Sequence, residues 1–261
     1  YFDIEFQKYL QFTFYKQWNK LKAYVNSLGI RMIGDIPIYV AMDSADAWAN
    51  PSLFQLDEKN VPYAVAGCPP DGFSATGQLW GNPLYRWEYH RQTGYEWWLK
   101  RLSHCFKLYD AVRIDHFRGF DQYYSIPYGA EDATRGHWEQ GPGIDLFNRV
   151  RQVLGEKEVI AEDLGYVTDS VRKLVYDSGF PGMKVLEFAF DSRDSGCAND
   201  YLPHNYPENS VAYTGTHDNE TLAGWFDSIT KEEQNMVRDY LCDHYTPKKY
   251  LYKSLNSLVM R

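Results

Sequence analysis

The chain has 261 residues, a formal net charge of −8, and 44% hydrophobic residues. A chain of this length can bury a sizeable core as one domain or two. Its negative charge argues against nucleic acid and anionic membranes as partners, whereas a neutral substrate is compatible with it. No apolar run approaches the length of a membrane span.

The N-terminus lacks the basic-then-apolar pattern of a secretory signal peptide. Because it also lacks an initiator Met and begins inside a predicted helix, we expect the sequence to be a fragment. The cysteines are scattered and form no CxxC pair, which favours reduced thiols and a cytoplasmic location. They are Cys68, Cys105, Cys197 and Cys242.

The first elements are a helix and a strand. Apolar residues recur in steps of three and four from Leu10 to Leu28, which predicts an amphipathic helix over Glu5–Leu28, with Gly29 as its C-cap. Ile30–Val40 is predicted to be a strand with Asp35 near its end. Pro37 indicates that regular pairing stops there.

Residues 41–91 interrupt the alternation of strands and helices. The segment is rich in Pro, Gly, Asn, Asp and Trp, and it predicts a long insertion, a loop subdomain on one face of the sheet. Trp80 lies close to two glycines, Gly77 and Gly81. This is a poor place for a core anchor.

Alternating helices and strands resume after this insertion. A further strand is predicted at Met183–Phe190. Its single acidic residue, Glu187, is interpreted as structural. The pattern predicts an α/β fold with about five β/α units in one domain, residues 1–261. The helices are predicted at Tyr95–Phe106, Ile144–Leu154, Thr168–Tyr176, Lys231–His244 and from Lys248 onward, and the other strands begin at Ala111, Val159 and Val211.

Three of these apolar runs end in carboxylates, at Asp115, Glu162 and Asp218. The carboxyl ends of parallel strands meet at one mouth of a β/α barrel, so these side chains are expected to converge. Arg113 lies two positions before Asp115 and shares its face of the strand, where it favours the ionised carboxylate. An Asp–Arg pair of purely structural function remains the alternative for this strand taken alone. His116 and His217 flank the cluster.

Five segments, in chain order, resemble the 4-α-glucanotransferases (amylomaltases, or disproportionating enzymes) of the wider α-amylase superfamily. The longest of them, Pro69–Pro83, is specific to the amylomaltase branch. The segments are Gly34–Val40, Pro69–Pro83, Val112–Gly119, Ala161–Gly165 and Gly215–Asn219.

The resemblance implies a retaining transfer of α-1,4-glucan segments between maltooligosaccharides. It implies a (β/α)8 TIM-type barrel, present here as a partial barrel with the insertion after its first strand. Asp115 would be the nucleophile and Glu162 the general acid and base, with their carboxyls about 5–5.5 Å apart. Asp218 would bind ring hydroxyls, and Asp163 would point away from the cleft.

The resemblance also implies substrate contacts. His116 and His217 would be neutral hydrogen-bonding groups, and Trp80 and Asp71 would line the glucan cleft. Two functions remain open for Asp35, support of Arg113 and contact with a sugar. The substrate-binding set is therefore Asp35, Asp71, Trp80, Arg113, His116 and His217.

Two other functions compete with transfer. One is hydrolysis of α-glucans by the same carboxylates, and the other is a catalytically inert or glucan-binding fragment. Because five strands do not close an eight-stranded barrel, we expect little or no disproportionating activity from the 261-residue chain alone. No phosphate-binding loop or metal-ligand spacing is present, so neither a cofactor nor a metal is expected. The sequence does not indicate the oligomeric state.

Overall fold

The computed structural model describes residues 1–71, 74–165, 167–192 and 198–260. The strands in these ranges form two sheets, one parallel with five strands and one antiparallel with four. The strands are β1 Ile33–Pro37, β2 Ala64–Cys68, β3 Gln78–Pro83, β4 Ala111–Asp115, β5 Gln122–Pro127, β6 His137–Gln140, β7 Val159–Ala161, β8 Gly182–Val185 and β9 Ser210–Tyr213.

The parallel sheet has the order β1-β4-β7-β8-β9, so consecutive β/α units lie side by side. In its register Asp35 lies opposite Arg113, and Ile114 lies opposite Ala161. Apolar strands buried on both faces are typical of such a sheet. The predicted α/β fold with five strands in this order is confirmed.

Two contacts span this sheet without following its order. Arg113 on β4 donates through Nε to the sulfur of Met183 on β8, at 3.2 Å, although β7 lies between the two strands. His217, which follows β9 at one edge, has its Nε2 atom 4.0 Å from Asp35 Oδ2 on β1 at the other edge. The carboxyl end of the sheet therefore curls strongly.

The second sheet has the order β3-β2-β5-β6 and was not predicted. Two of its strands come from residues 41–91 and two from residues 122–140, after β4. The predicted insertion thus pairs with a later segment: Val65 lies opposite Ile126. Three of the four residues of His137–Gln140 are exposed, so this strand has no apolar pattern from which it could be predicted.

The helices between the parallel strands agree closely with prediction, and Ile144–Leu154 agrees at both ends. The helix predicted to end at His244 ends at Leu241, because Cys242 adopts a left-handed conformation with φ 50°. The helices are α1 Phe2–Ser27, α2 Ala45–Ala49, α3 Trp87–Gln92, α4 Glu96–Leu108, α5 Ile144–Leu154, α6 Asp169–Ser178, α7 Leu222–Ser228, α8 Lys231–Leu241 and α9 Leu251–Val259.

The strand predicted at Met183–Phe190 is wrong in its second half. β8 ends at Val185, and Leu186–Phe190 forms a 3₁₀ turn in which Leu186, Glu187, Ala189 and Phe190 are buried. Such a turn inside the core buries adjacent residues. A short apolar run therefore does not distinguish it from a buried strand.

The apolar stripe predicted on α1 is only partly covered. Trp18 donates through Nε1 to the carbonyl of Leu108 at 2.9 Å and contacts the ring of Tyr109. Leu10 and Leu21, on the same stripe, are 42% and 47% exposed. The core lies instead between the parallel sheet and α4–α6, where aromatic rings such as Trp98, Phe120 and Phe147 are buried together.

Two further expectations concern thiols and membranes. Cys68, Cys105 and Cys242 are free thiols, and Cys197 lies outside the described residues. Within the described ranges, no helix combines the length and the apolar character that crossing a bilayer requires.

Candidate active site

Arg113 joins the first two strands of the parallel sheet at their carboxyl ends. It is 8% exposed, and its Nη1 atom lies 2.7 Å from both carboxyl oxygens of Asp35. Its Nη2 atom lies 2.9 Å from Asp115 Oδ1. The predicted Arg113–Asp115 pair is confirmed. Asp35 binds Arg113, which is one of the two functions predicted for Asp35. The side chain of Asp35 is also 43% exposed, so it remains accessible to a ligand.

Glu162 lies directly beside this group, because β7 pairs with β4. Its backbone N–H donates to the carbonyl of Ile114 at 3.1 Å. Its carboxyl oxygens accept from the backbone N–H groups of His116 at 2.7 Å and Leu164 at 3.2 Å. The carboxyl group is therefore fixed against the residue that follows Asp115.

The two carboxyl groups differ in acidity. Burial and the nearby charge of Asp115 raise the pKa of Glu162 to about 7, although the backbone bond from His116 opposes this. Burial raises the pKa of Asp115 above its ordinary value, and the nearby Arg113 only partly opposes that rise. The arrangement places a carboxyl whose pKa lies near neutrality, on Glu162, close to a carboxyl that is paired with an arginine.

Asp163 does not join this pair. Its Oδ1 atom accepts from the backbone N–H of Met183 at 2.8 Å, and its carboxyl packs against Gly182. Asp163 thus ties β7 to β8, while Glu162 is tied to β4. This confirms that the two neighbours point to different sides.

Asp218 and His217 lie in the loop after β9, on the same carboxyl end of the sheet. Both are exposed, and His217 Nε2 lies 3.5 Å from Asp218 Oδ1. The charge of Asp218 contributes to raising the pKa of Asp115. The structure therefore brings the third predicted carboxylate into the electrostatic environment of Asp115.

Trp80 on β3 extends the site toward the second sheet. Its ring stands edge-on to His116, with centroids 4.8 Å apart, and it is 36% exposed. Burial and Arg118 lower the pKa of His116 to about 3, so its ring is neutral as predicted. An exposed indole face beside carboxyl groups can cover the C–H surface of a sugar.

Asp71 follows β2 and is exposed, with its Oδ1 atom accepting from the backbone N–H of Ser74 at 2.8 Å. The charges of Asp71, Glu162 and Asp115 all act on the thiol of Cys68, whose pKa rises to about 12 chiefly through burial. The end of β2 therefore borders the site. Gly72 and Phe73, also in the Pro69–Pro83 motif, lie outside the described residues.

The comparisons with known proteins agree with this geometry. A family model described as 4-alpha-glucanotransferase matches residues 1–261. The chain is 51% identical over 240 residues to the 4-alpha-glucanotransferase of Clostridium butyricum, covering 91% of this chain and 49% of that protein. It is 49% identical over 243 residues to that of Thermus thermophilus, covering 92% and 48%.

A solved structure, the amylomaltase from Streptococcus agalactiae in complex with acarbose, superposes with a TM-score of 0.89 at 43% identity. The match covers 95% of this chain and 49% of that one. The chain belongs to the 4-α-glucanotransferase family. It spans about half the length of the relatives that it matches.

One residue of this 4-α-glucanotransferase family member was not predicted to affect the site. Glu187 is buried beneath the loop that carries Asp218, and its backbone N–H donates to the carbonyl of Thr214 at 3.2 Å. The signal in the sequence was a single acidic residue inside the apolar run Leu186–Phe190. Buried carboxyls with a shifted pKa cluster at functional sites.

Proposed function

We propose that the protein containing this chain transfers α-1,4-glucan segments between maltooligosaccharides by a retaining double displacement. Asp115 attacks the anomeric carbon, and Glu162 protonates the leaving glycosidic oxygen. The 4-hydroxyl of a second glucan then displaces Asp115, and Glu162 accepts its proton. The observation that carries this proposal is the position of Glu162, whose pKa is raised to about 7, beside the Arg113-bound Asp115.

The proposed mechanism requires a separation of about 5–5.5 Å between these two carboxyls, which leaves no room for a water molecule between them. Two observations support such closeness: Glu162 is bonded to the backbone of His116, next to Asp115, and the charge of Asp115 acts on Glu162. A larger separation would suit an inverting hydrolase.

Asp218 is proposed to bind ring hydroxyls of the distorted sugar in the transition state. His217 and His116 would donate or accept hydrogen bonds to neighbouring hydroxyls, and Asp35 would contact a sugar beyond its bond to Arg113. Their position at the carboxyl ends of β1, β4 and β9 supports these roles.

Trp80 and Asp71 are proposed to line the cleft on the side of the second sheet. Trp80 supplies an apolar face, and Asp71 supplies a carboxylate acceptor for hydroxyls. Residues 41–91 would then form an inserted subdomain on the catalytic face. The contact between Trp80 and His116 supports this placement.

The parallel sheet is proposed to be part of a (β/α)8 TIM-type barrel. The succession of five parallel strands in chain order and the contacts Arg113–Met183 and His217–Asp35 across the carboxyl end support this architecture. In such a barrel, residues from non-adjacent strands meet at one mouth. This is where the proposed carboxylates lie.

Incubation with maltotriose tests the proposed transfer. A transferase converts maltotriose into glucose and a ladder of longer oligomers, while the number of reducing ends stays constant. Growth of reducing ends in step with bond cleavage would identify a hydrolase. Binding of maltotriose without any product would identify a glucan-binding protein.

A further inference from the structure

A cavity of about 220 Å³ lies beneath the loop that joins β9 to α7. The residues that line it are polar or acidic apart from a glycine and a leucine, and none is basic. Glu187 is the one contributed by the 3₁₀ turn after β8, and the others belong to the loop and the start of α7: Thr214, Gly215, Thr216, Asn219, Glu220, Thr221 and Leu222.

Glu187 contacts the loop at two points. Its backbone N–H donates to the carbonyl of Thr214 at 3.2 Å. Its carboxyl group packs against Gly215 so closely that a Cβ atom there would lie 2.8 Å from Oε1 and 3.1 Å from Oε2. The backbone of the loop therefore rests on this carboxyl, three residues before Asp218.

The loop itself is held in one shape by internal bonds. Asn219 Oδ1 accepts from the backbone N–H of Thr216 at 2.8 Å and from its hydroxyl at 2.9 Å. The backbone N–H of Asp218 donates to the same hydroxyl at 3.2 Å. Because the loop is internally fixed, its position above the sheet depends on what supports its base.

The carboxyl of Glu187 is not compensated as an anion. Glu187 is 4% exposed, and its Oε1 atom has no hydrogen-bond partner within the described residues. The second titratable residue in the cavity wall, Glu220, is also acidic. Burial, and then Glu220, raise the pKa of Glu187 to about 7, so the uncharged acid is favoured below neutral pH.

We propose that Glu187 is a positioning residue, which acts as an uncharged carboxylic acid to support the loop Thr214–Asn219 and set the approach of Asp218 to Asp115. Ionisation would place a second negative charge beside Glu220 in a wall without a base, and the loop would move. This inference deepens the proposed function, since Asp218 matters for turnover only if that function is correct.

The kinetic test uses an α-maltosyl fluoride donor, whose leaving group needs no proton from Glu162. For the unaltered protein, kcat/KM with this donor is expected to fall above about pH 7, by about tenfold per pH unit, as Glu187 ionises. Glu187→Gln keeps the shape and the neutral state, so it should retain kcat/KM within about twofold near pH 6 and lose the high-pH decline. Glu187→Ala should lower kcat/KM both near pH 6 and above pH 7.

Matched variants separate this effect from a general change of charge. Glu220→Gln removes the like charge that raises the pKa of Glu187 and should move the decline to lower pH, whereas Glu208→Gln, on an exposed carboxyl, should leave it unchanged. A decline that persists in Glu187→Gln would overturn the proposal. Should Glu187→Ala fail to fold, the Gln variant alone still decides the outcome.

A second measurement does not depend on turnover. In protein labelled with ¹³C at the glutamate carboxyl, the resonance that Glu187→Gln removes should titrate near pH 7, and the amide signals of Gly215 and Asp218 should shift with it. Amide signals that ignore this titration would overturn the inference even if the transferase is active. A carboxyl resonance that moves on addition of CaCl₂ would indicate a cation site and would also overturn it.

Discussion

Asp115 illustrates how its surroundings set the chemistry of one side chain. Arg113 binds its Oδ1 atom at 2.9 Å, Glu162 lies against the next residue, and burial raises its pKa. A carboxylate held in this way has a fixed orientation. The proposed nucleophile is thus oriented before any substrate binds.

Replacing Asp115 by Asn is expected to reduce transfer by at least about 10⁴-fold, because the amide is a poor nucleophile and no covalent intermediate forms. The rate of ladder formation from maltotriose measures this loss. Asp177→Asn, on the exposed face of α6, is the matched control and should retain full activity. Activity of Asp115→Asn close to that of the control would contradict the assignment.

The acidity of Glu162 predicts a pH limit for natural glucans. Its pKa is raised from 4.5 to about 7, so the protonated form needed for the leaving group persists up to that range and is lost above it. Ionisation of Glu162 alone should therefore lower kcat/KM for maltotriose above about pH 7 by about tenfold per pH unit, and ionisation of Glu187 should make the fall steeper.

Glu162→Gln tests the same assignment with a second donor. The variant should lose nearly all turnover of maltotriose while still being glycosylated by α-maltosyl fluoride. Equal loss on both donors would remove the support for Glu162 as the acid.

At this scale, sequence alone located the charged groups but not their surroundings. Asp115, Glu162 and Asp218 were placed correctly at the ends of apolar runs, because that position follows from local pattern. The burial that raises the pKa of Glu162 comes from packing between distant segments. The function proposed for Glu187 depends on its contact with Thr214, which lies 27 residues further along the chain. The sequence around Glu187 does not reveal that contact.

β1 packs closely against the residue that follows α4. Gly34 on β1 lies against the ring of Tyr109, and a Cβ atom there would overlap the ring. Gly34→Ala is expected to lower the free energy of unfolding by about 1–3 kcal/mol through overpacking. Urea denaturation measures the change.

The double variant Gly34→Ala, Tyr109→Ala is the control for this mechanism. Because the smaller side chain makes room for the added methyl group, the two substitutions together should cost less than their sum. Strict additivity would show that the ring is not what limits the space at Gly34.

Arg113 connects β1 and β4 through the two terminal nitrogens of its guanidinium group. Lysine keeps the charge but lacks the planar pair of nitrogens that reaches both Asp35 and Asp115. Arg113→Lys should lower kcat/KM about 10- to 100-fold and the free energy of unfolding by about 1–3 kcal/mol. The exposed substitution Arg135→Lys should change neither, and wild-type kinetics in Arg113→Lys would show that the fork is dispensable.

Among the elements, those with strong local signals were the predictable ones. Helix Ile144–Leu154 has apolar residues in helical steps and a glycine at its end, and both bounds were correct. β5 was missed because it pairs with β2 across a long segment of chain, which its own sequence does not specify. β6 was missed because it is short and mostly exposed, and its partner is β5. Long-range pairing is decided by packing rather than by local pattern.

The whole molecule combines a curled parallel sheet with a second sheet that contributes Trp80 to the same face. The proposed site draws on β1, β3, β4, β7 and the loop after β9, so its geometry is a property of the fold rather than of one motif. The chain spans about half the length of its matched relatives. Transfer is therefore proposed for the protein that contains residues 1–261.

The central claim is that a glucosyl–Asp115 ester forms during transfer, and trapping that ester tests it most directly. In Glu162→Gln, α-maltosyl fluoride should glycosylate the enzyme, and the lack of a general base should slow the return reaction. Peptide mass spectrometry should then find one maltosyl group on the peptide that contains Asp115. Release of fluoride with no labelled peptide, or a maltosyl group on Asp218 instead, would contradict the account.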